Sequence, residues 1–353
     1  MSLPQPRADL GLRPGYHSAQ VDAEVRLNTN ESPYPPPAAW LEAWTAATAE
    51  LPFNRYPDRA ALGLREAIAE LHATTPERVF AANGSNEVIQ AVCLAYGGAG
   101  RAAVTFEPTY ALHGHIAHLT GTDVHAAGRR ADFAVDRDEA RRVLAEVRPA
   151  VTFLCSPNNP TGTAEDPSLV ADVVGSAPGL VVVDEAYGQF AEWSAAGLLA
   201  DDVPLVVVRT FSKTWSMAAL RLGYLLGPPE VVATLERVAL PYHLDAAKQL
   251  AGRLAVGFAG DMRERVEALV AERRRLAAAL AELPVQVWPS QANFLLFRPD
   301  SGEASTVWQR LVERSVLIRD ASGWPGLDGC LRVTVGTPAE DDRFLAALTE
   351  VLA

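Results

Sequence analysis

The chain reads as an α/β protein: a large domain with a mostly parallel sheet flanked by helices, then a smaller α+β domain. Three observations predict this. Short apolar strands alternate with helical patterns from residue 79 to residue 208, as in a parallel sheet covered on both faces. Beyond Pro241 the alternation gives way to one long amphipathic helix followed by strands. Before Trp40 the chain is rich in Pro, Asn and small residues, and Pro33-Tyr-Pro-Pro-Pro37 forbids regular helix. The expected organisation is an N-terminal arm over 1–40 that joins the small domain, a large domain over 41–240 and a small C-terminal domain over 241–353.

Helical spacing of apolar residues runs over 40–49 and 60–72, and residues 79–82 form a short strand. Residues 86–96 read as helix, 102–106 as strand, 110–119 as helix and 151–155 as strand. Asp166-Pro-Ser168 opens a helix, with Asp at the N-cap and Pro in the first turn. Strands follow at 180–183 and 205–208. In the C-terminal part, residues 263–283 are a long amphipathic helix with apolar Val266, Leu269, Val270, Leu276 and Leu280. Strands are expected at 293–297, 316–319 and 331–335. Thr337-Pro-Ala-Glu340 has the residues of a capping box and starts the last helix.

A chain of 353 residues can bury a generous core, and 49% hydrophobic with 21% charged residues is ordinary for a globular enzyme. The net charge of −12 disfavours nucleic acid and anionic membrane as partners. A local arginine pocket can still hold an anion. The three cysteines, Cys93, Cys155 and Cys330, form no CxxC pair, which suits a reducing cytoplasm better than a disulfide framework. The N-terminus has no apolar stretch of the signal-peptide kind, and no apolar run approaches membrane-spanning length.

Every chemically suggestive motif follows an expected strand, where open α/β sheets bind ligands. Ala82-Asn-Gly-Ser-Asn-Glu87 is a strand-to-helix turn whose helix N-terminus can offer amides to an anion. Its plainer reading is an ordinary turn. Ser156-Pro-Asn-Asn-Pro-Thr-Gly162 is a rigid loop that can aim the Asn159 amide into a pocket. Val181-Val-Val-Asp-Glu-Ala-Tyr187 places Asp184 at the end of a buried strand, where a carboxylate needs a partner. A protonated pyridine nitrogen is one such partner and a helix N-cap another. Tyr187, three residues on, can hydrogen-bond a phenolic oxygen. Arg209-Thr-Phe-Ser-Lys-Thr-Trp-Ser-Met-Ala-Ala-Leu-Arg221 sets Lys213 beside the hydroxyls of Thr210 and Ser212, ahead of Arg221. An amine for an aldehyde beside donors for a phosphate is what pyridoxal phosphate requires. Burial near Arg221 would lower the lysine pKa.

In this order and spacing the four motifs resemble the fold-type I pyridoxal-phosphate aminotransferases over essentially the whole chain. Within that group the chain is most similar to the histidinol-phosphate aminotransferase family. Arg26-Leu-Asn-Thr-Asn-Glu-Ser-Pro33, Asn54-Arg-Tyr-Pro-Asp58, Phe106-Glu-Pro-Thr-Tyr110, Leu240-Pro-Tyr-His-Leu244, Leu317-Ile-Arg-Asp320 and Leu331-Arg-Val-Thr-Val-Gly-Thr-Pro338 carry that similarity.

The resemblance implies pyridoxal 5'-phosphate as cofactor, with Lys213 forming the Schiff base and moving the proton. It implies Asp184 on the pyridine nitrogen, Asn159 and Tyr187 on the ring oxygen, and Tyr110 stacked on the ring. Ser85, Asn86, Thr210, Ser212 and Arg221 would hold the phosphate, with Tyr56 reaching it from the neighbouring subunit of a homodimer. Arg319, Arg332 and Tyr16, with Asn159, would bind the substrate. The implied reaction is transamination between L-histidinol phosphate and 2-oxoglutarate. An aromatic amino-acid aminotransferase and a threonine-phosphate decarboxylase share the motifs. The chain departs from the usual pattern at Gly15, Trp215, Met217, Ala219 and Asp245, and these positions are expected to reshape the side-chain pocket. The run His113-Gly-His-Ile-Ala-His118 is read as packing and surface residues rather than metal ligands.

Overall fold

The computed structural model describes residues 3–5, 7, 21–301 and 303–353. Tyr16 lies outside the described residues. In chain order the elements are β1 (Val25–Arg26), α1 (Ala38–Ala49), α2 (Leu62–Leu71), β2 (Val79–Ala82), α3 (Ser85–Tyr96), β3 (Ala102–Glu107), α4 (Leu112–Leu119), β4 (Asp123–Gly128), α5 (Arg137–Val147), β5 (Val151–Cys155), α6 (Pro167–Ser176), β6 (Leu180–Asp184), β7 (Leu205–Thr210) and β8 (Gly223–Leu226). There follow α7 (Pro229–Val238), α8 (Ala246–Val256), α9 (Ala259–Ala281), β9 (Val285–Val287), β10 (Phe294–Pro299), α10 (Ala304–Glu313), β11 (Val316–Leu317), β12 (Arg319–Asp320), β13 (Leu331–Thr334) and α11 (Pro338–Leu352).

Among the described residues the main sheet has seven strands in the order β2-β8-β7-β6-β5-β3-β4. It is parallel except for β8, which runs antiparallel to both neighbours. The central strands are continuous apolar runs because both their faces are covered. Alternation along them divides the core. Val182, Val206 and Val208 pack with Val88, Ile89, Val92 and Leu235 on one face. Val181, Val183 and Val207 pack with Leu144, Leu169 and Val173 on the other. The expected helix starts form as read: Asp166 accepts the Ser168 amide, and Thr337 and Glu340 close a reciprocal capping box.

The second sheet, β12-β13-β10-β9, is antiparallel. β1 of the arm pairs in parallel with β11, so the arm completes the C-terminal part. One expectation is corrected here. Residues 316–319 are two strands rather than one, because the chain changes sheets at Ile318: β11 bonds to β1 and β12 to β13. The placement of α8 also differs from the expected boundary after 240, since it packs on α1 and α2. The helix α9 crosses between the two bodies. Met262 at its start shares a core with Trp40 and Leu64, while Leu269, Leu276 and Leu280 share one with Phe294 and Phe344. Trp215 and Met217 are buried in the former cluster.

Candidate active site

The carboxyl ends of β5, β6 and β7, the N-terminus of α3 and a piece of the arm surround a cavity of about 260 Å³. Eleven of the residues singled out from sequence line it: Ser85, Asn86, Tyr110, Asn159, Asp184, Tyr187, Thr210, Ser212, Lys213, Arg221 and Arg332. Lys213 stands between its two ends, and its Nζ donates to the Thr29 carbonyl at 2.9 Å. Burial, then the Arg332 cation, with a smaller contribution from Arg221, lowers its pKa to about 7, while Glu31 opposes the shift. A neutral amine is therefore abundant at physiological pH.

One end of the cavity is a ring of donors. The helix α3 begins at Ser85, so the Ser85 and Asn86 amides have no partner within the helix. Two glycines make room for this turn. A Cβ on Gly223 would lie 2.3 Å from the Ser85 amide nitrogen, and one on Gly84 (φ 81°) would lie 2.9 Å from Arg221 Nη2. Arg221 Nη1 donates to Ser212 Oγ at 3.2 Å, and the Ser212 amide donates to Thr210 Oγ1 at 3.1 Å. Amides, hydroxyls and a guanidinium form a cradle suited to a phosphate dianion.

The other end holds a buried carboxylate. Asp184, the last residue of β6, accepts the Ala186 amide on Oδ1 at 3.0 Å. Its Oδ2 lies 2.8 Å from His113 Nε2, and both side chains are almost fully enclosed. The His113 ring stacks on Phe153 and meets Tyr110 edge-on. The Tyr187 hydroxyl accepts from Asn30 Nδ2 at 2.9 Å, and burial raises its pKa. Asn159 Oδ1 accepts from Arg332 Nη1, while Arg332 Nη2 donates to the Asn28 carbonyl at 2.8 Å. Asn30 is in turn bonded to Thr334 on β13. The arm, both sheets and the Ser156–Gly162 loop thus converge at this end. The set as a whole fits pyridoxal phosphate: an anion cradle, an amine at mid-cavity and a carboxylate for a cationic ring nitrogen.

The other predicted residues sit elsewhere. Arg319 does not line the cavity; it faces Arg332 across the β12–β13 pair, its guanidinium 5.1 Å from the Trp324 ring centroid. Tyr56 is 80% exposed and does not line its own chain's cavity. Trp215, Met217, Ala219 and Asp245 are not among the cavity-lining residues, and Gly15 lies outside the described residues. Asp245 caps α8 instead. Three contributors were not expected. His113 is a partner of Asp184, Asn30 holds Tyr187, and the Thr29 carbonyl holds Lys213. The spacing of His113 three residues after Tyr110, at the start of a helix, could have placed both on one face. Asn30 gave a weaker signal, being one of two asparagines in a quoted motif and one of few non-glycine residues with positive φ (55°).

Comparison with known proteins agrees with this geometry. The sequence pattern of the family described as aminotransferase class I and II matches residues 23–348. The histidinol-phosphate aminotransferase of Rhodococcus opacus is 42% identical over 98% of this chain and 93% of its own length. The crystal structure of histidinol-phosphate aminotransferase from Sinorhizobium meliloti, in complex with pyridoxal-5'-phosphate, superposes with a TM-score of 0.86 at 22% identity, over 94% of this chain and 91% of that one. L-Threonine-O-3-phosphate decarboxylase from Porphyromonas gingivalis superposes with a TM-score of 0.80 at 21% identity, over 93% and 99%. At such identities the two structures speak for the fold alone.

Proposed function

Because the chain belongs to the class I and II aminotransferases, we propose that it transfers the amino group of L-histidinol phosphate to 2-oxoglutarate. The products are imidazole acetol phosphate and glutamate, and the reaction is a step of histidine biosynthesis. The near-full-length identity to histidinol-phosphate aminotransferases supports the substrate. The observation that carries the chemistry is Lys213, held at low pKa between an anion cradle and a buried carboxylate.

When bound, pyridoxal phosphate supplies an aldehyde for the substrate amine and a conjugated ring that accepts the electron pair left by Cα–H cleavage. Ser85, Asn86, Thr210, Ser212 and Arg221 would hold its phosphate, and Tyr110 would cover the ring. Asp184 would keep the ring nitrogen protonated, and His113 fixes the carboxylate orientation. Asn159 and Tyr187 orient the ring oxygen. Lys213 Nζ takes the proton from the substrate Cα and delivers it during the exchange. Arg332 receives the anionic end of either substrate, its guanidinium able to fork onto phosphate or carboxylate, and Arg319 adds positive charge from across the β12–β13 pair. One pocket serves both half-reactions, so the kinetics are ping-pong.

The active unit is a homodimer in which Tyr56 contacts the neighbour's cofactor phosphate. The exposure of Phe53, Tyr56, Leu240 and Tyr242 supports an apolar contact surface there. A cytoplasmic location suits the three buried free thiols and the acidic charge. No helix among the described residues is long and apolar enough to cross a membrane.

The test has two parts. The purified protein carries a visible absorbance band that Lys213→Ala removes, with turnover falling at least about 10⁴-fold. A protein without that band sinks the cofactor assignment. Glutamate formation is then compared for histidinol phosphate and phenylalanine, and carbon dioxide release is measured from threonine phosphate. Equal rates with phenylalanine, or release of carbon dioxide, refute the named reaction.

A further inference from the structure

Two loops outside the cavity lining expose large apolar side chains. Residues 52–58 present Phe53 and Tyr56, and residues 240–245 present Leu240 and Tyr242. Tyr56 and Tyr242 stack with ring centroids 4.4 Å apart and planes 16° from parallel, although they are 80% and 41% exposed. We propose that Tyr242 is a positioning residue: by stacking on Tyr56 it fixes the direction in which that hydroxyl reaches the cofactor phosphate of a second copy of this chain. The inference rests on the reading of Tyr56 given above.

The backbone around the pair is built for this. Tyr242 has φ 60°, a left-handed conformation that a bulky side chain adopts only where its surroundings impose it. The surroundings are visible. Asn83 Nδ2 donates to the His243 carbonyl at 2.8 Å, His243 Nε2 lies 3.0 Å from the Ala81 carbonyl, and Lys248 Nζ donates to Asn83 Oδ1. The His243 ring also stacks on Phe80. The Tyr56 loop is held as firmly. Asp58 accepts the amides of Ala60 and Leu62. Gln249 Nε2 joins the loops, donating to the Asp58 carbonyl at 2.9 Å and to the Leu244 carbonyl at 3.0 Å. Both loops are therefore anchored at their bases while the rings stand in solvent.

A tyrosine on a free loop would lose rotamer freedom on entering a neighbour's site. A ring platform removes that cost before the subunits meet, because an aromatic pair is favourable beyond the area it buries. Asn83 precedes the Gly84-Ser85 turn of this chain's own cradle, so the same anchor that shapes the cradle also sets the platform.

The experiment uses the cofactor-free dimer titrated with pyridoxal phosphate, the bound fraction read from the visible band and the assembly state from sedimentation. Tyr56→Phe loses the hydroxyl and keeps the stack, whereas Tyr242→Ala loses the platform. Each weakens cofactor binding about 3- to 10-fold in a protein that stays dimeric, and Tyr242→Phe binds as the parent does. Tyr56→Phe combined with Tyr242→Ala is no weaker than Tyr56→Phe alone, because both act through one contact. Parental affinity in Tyr242→Ala, additive losses in the double variant, or a loss that reflects only dissociation to monomers overturns the positioning role. Parental affinity in Tyr56→Phe instead overturns the reading on which it rests.

Discussion

At the cradle end of the cavity the binding groups come from two stretches of chain, Gly84–Asn86 and Thr210–Arg221, and several are backbone amides in a glycine-shaped turn. At the carboxylate end each group is held by a partner far away in sequence. Asp184 meets His113 across 71 positions, Tyr187 meets Asn30 across 157, and Asn159 meets Arg332 across 173. The first end depends on backbone geometry and forgives changes of side chain. The second depends on the arm, the large domain and the small domain lying in register. Failure of the first should appear as lost cofactor, and failure of the second as slow chemistry in a loaded protein.

The sharpest way to break that contrast is Gly223→Ala. The added Cβ would meet the Ser85 amide nitrogen at 2.3 Å, and neither the strand nor the helix start can yield cheaply. Cofactor affinity is expected to fall about 10- to 100-fold. Equilibrium titration of the cofactor-free protein measures it, and saturating cofactor should restore most of kcat. An unchanged dissociation constant would mean that the cradle is not shaped by this glycine.

His113→Phe probes the other end. It keeps an aromatic ring against Phe153 and removes the hydrogen bond to Asp184. The carboxylate keeps its Ala186 amide, but Oδ2 loses its partner in a buried site. The expected result is a fall in kcat of about 10-fold with KM and cofactor affinity nearly unchanged. His113→Gln, whose amide can donate from near the Nε2 position, should recover part of it. If the Phe variant turns over at the parental rate, the contact is packing only.

The same contrast explains what was legible in the sequence. The central strands beneath the site followed from valine-rich runs, and the cradle from a glycine turn before a helix and a lysine after a strand. These signals are local. The edge strand β4 is mostly exposed and rich in Ala, His and Gly, so it carries little strand pattern. The split of 316–319 between two sheets could not be read, because Val316-Leu-Ile-Arg319 is one uninterrupted strand-like run and only the partners of its two ends differ. His113 reads locally as one of three histidines on a short helix; only the tertiary fold sets it against Asp184. Asn30 likewise acquires its role from the meeting of the arm with Tyr187.

The mildest test concerns charge rather than contact, and it joins the two ends through Lys213. Burial is the largest reason the amine titrates at about 7, and the Arg332 cation is the next. Only the neutral amine attacks an aldehyde, so the loading rate of cofactor-free protein should rise with pH and level off above about 7. Arg332→Gln removes a positive neighbour, which moves the midpoint up toward the ordinary lysine value and slows loading at pH 7 by a few-fold. Arg332→Lys keeps the charge and should keep the midpoint. The sign carries over to stability. The folded pKa lies below the unfolded one, so between about 7 and the ordinary lysine value of 10.5 the unfolded chain holds a proton that the folded chain lacks. The cofactor-free protein therefore gains stability from this group as pH rises through that window, and the penalty is fully present below it. Thermal unfolding of parent and Lys213→Met across the window measures the difference. The neutral variant should lack this rise, and a parent curve with the same slope would show that the buried amine is not the titrating group.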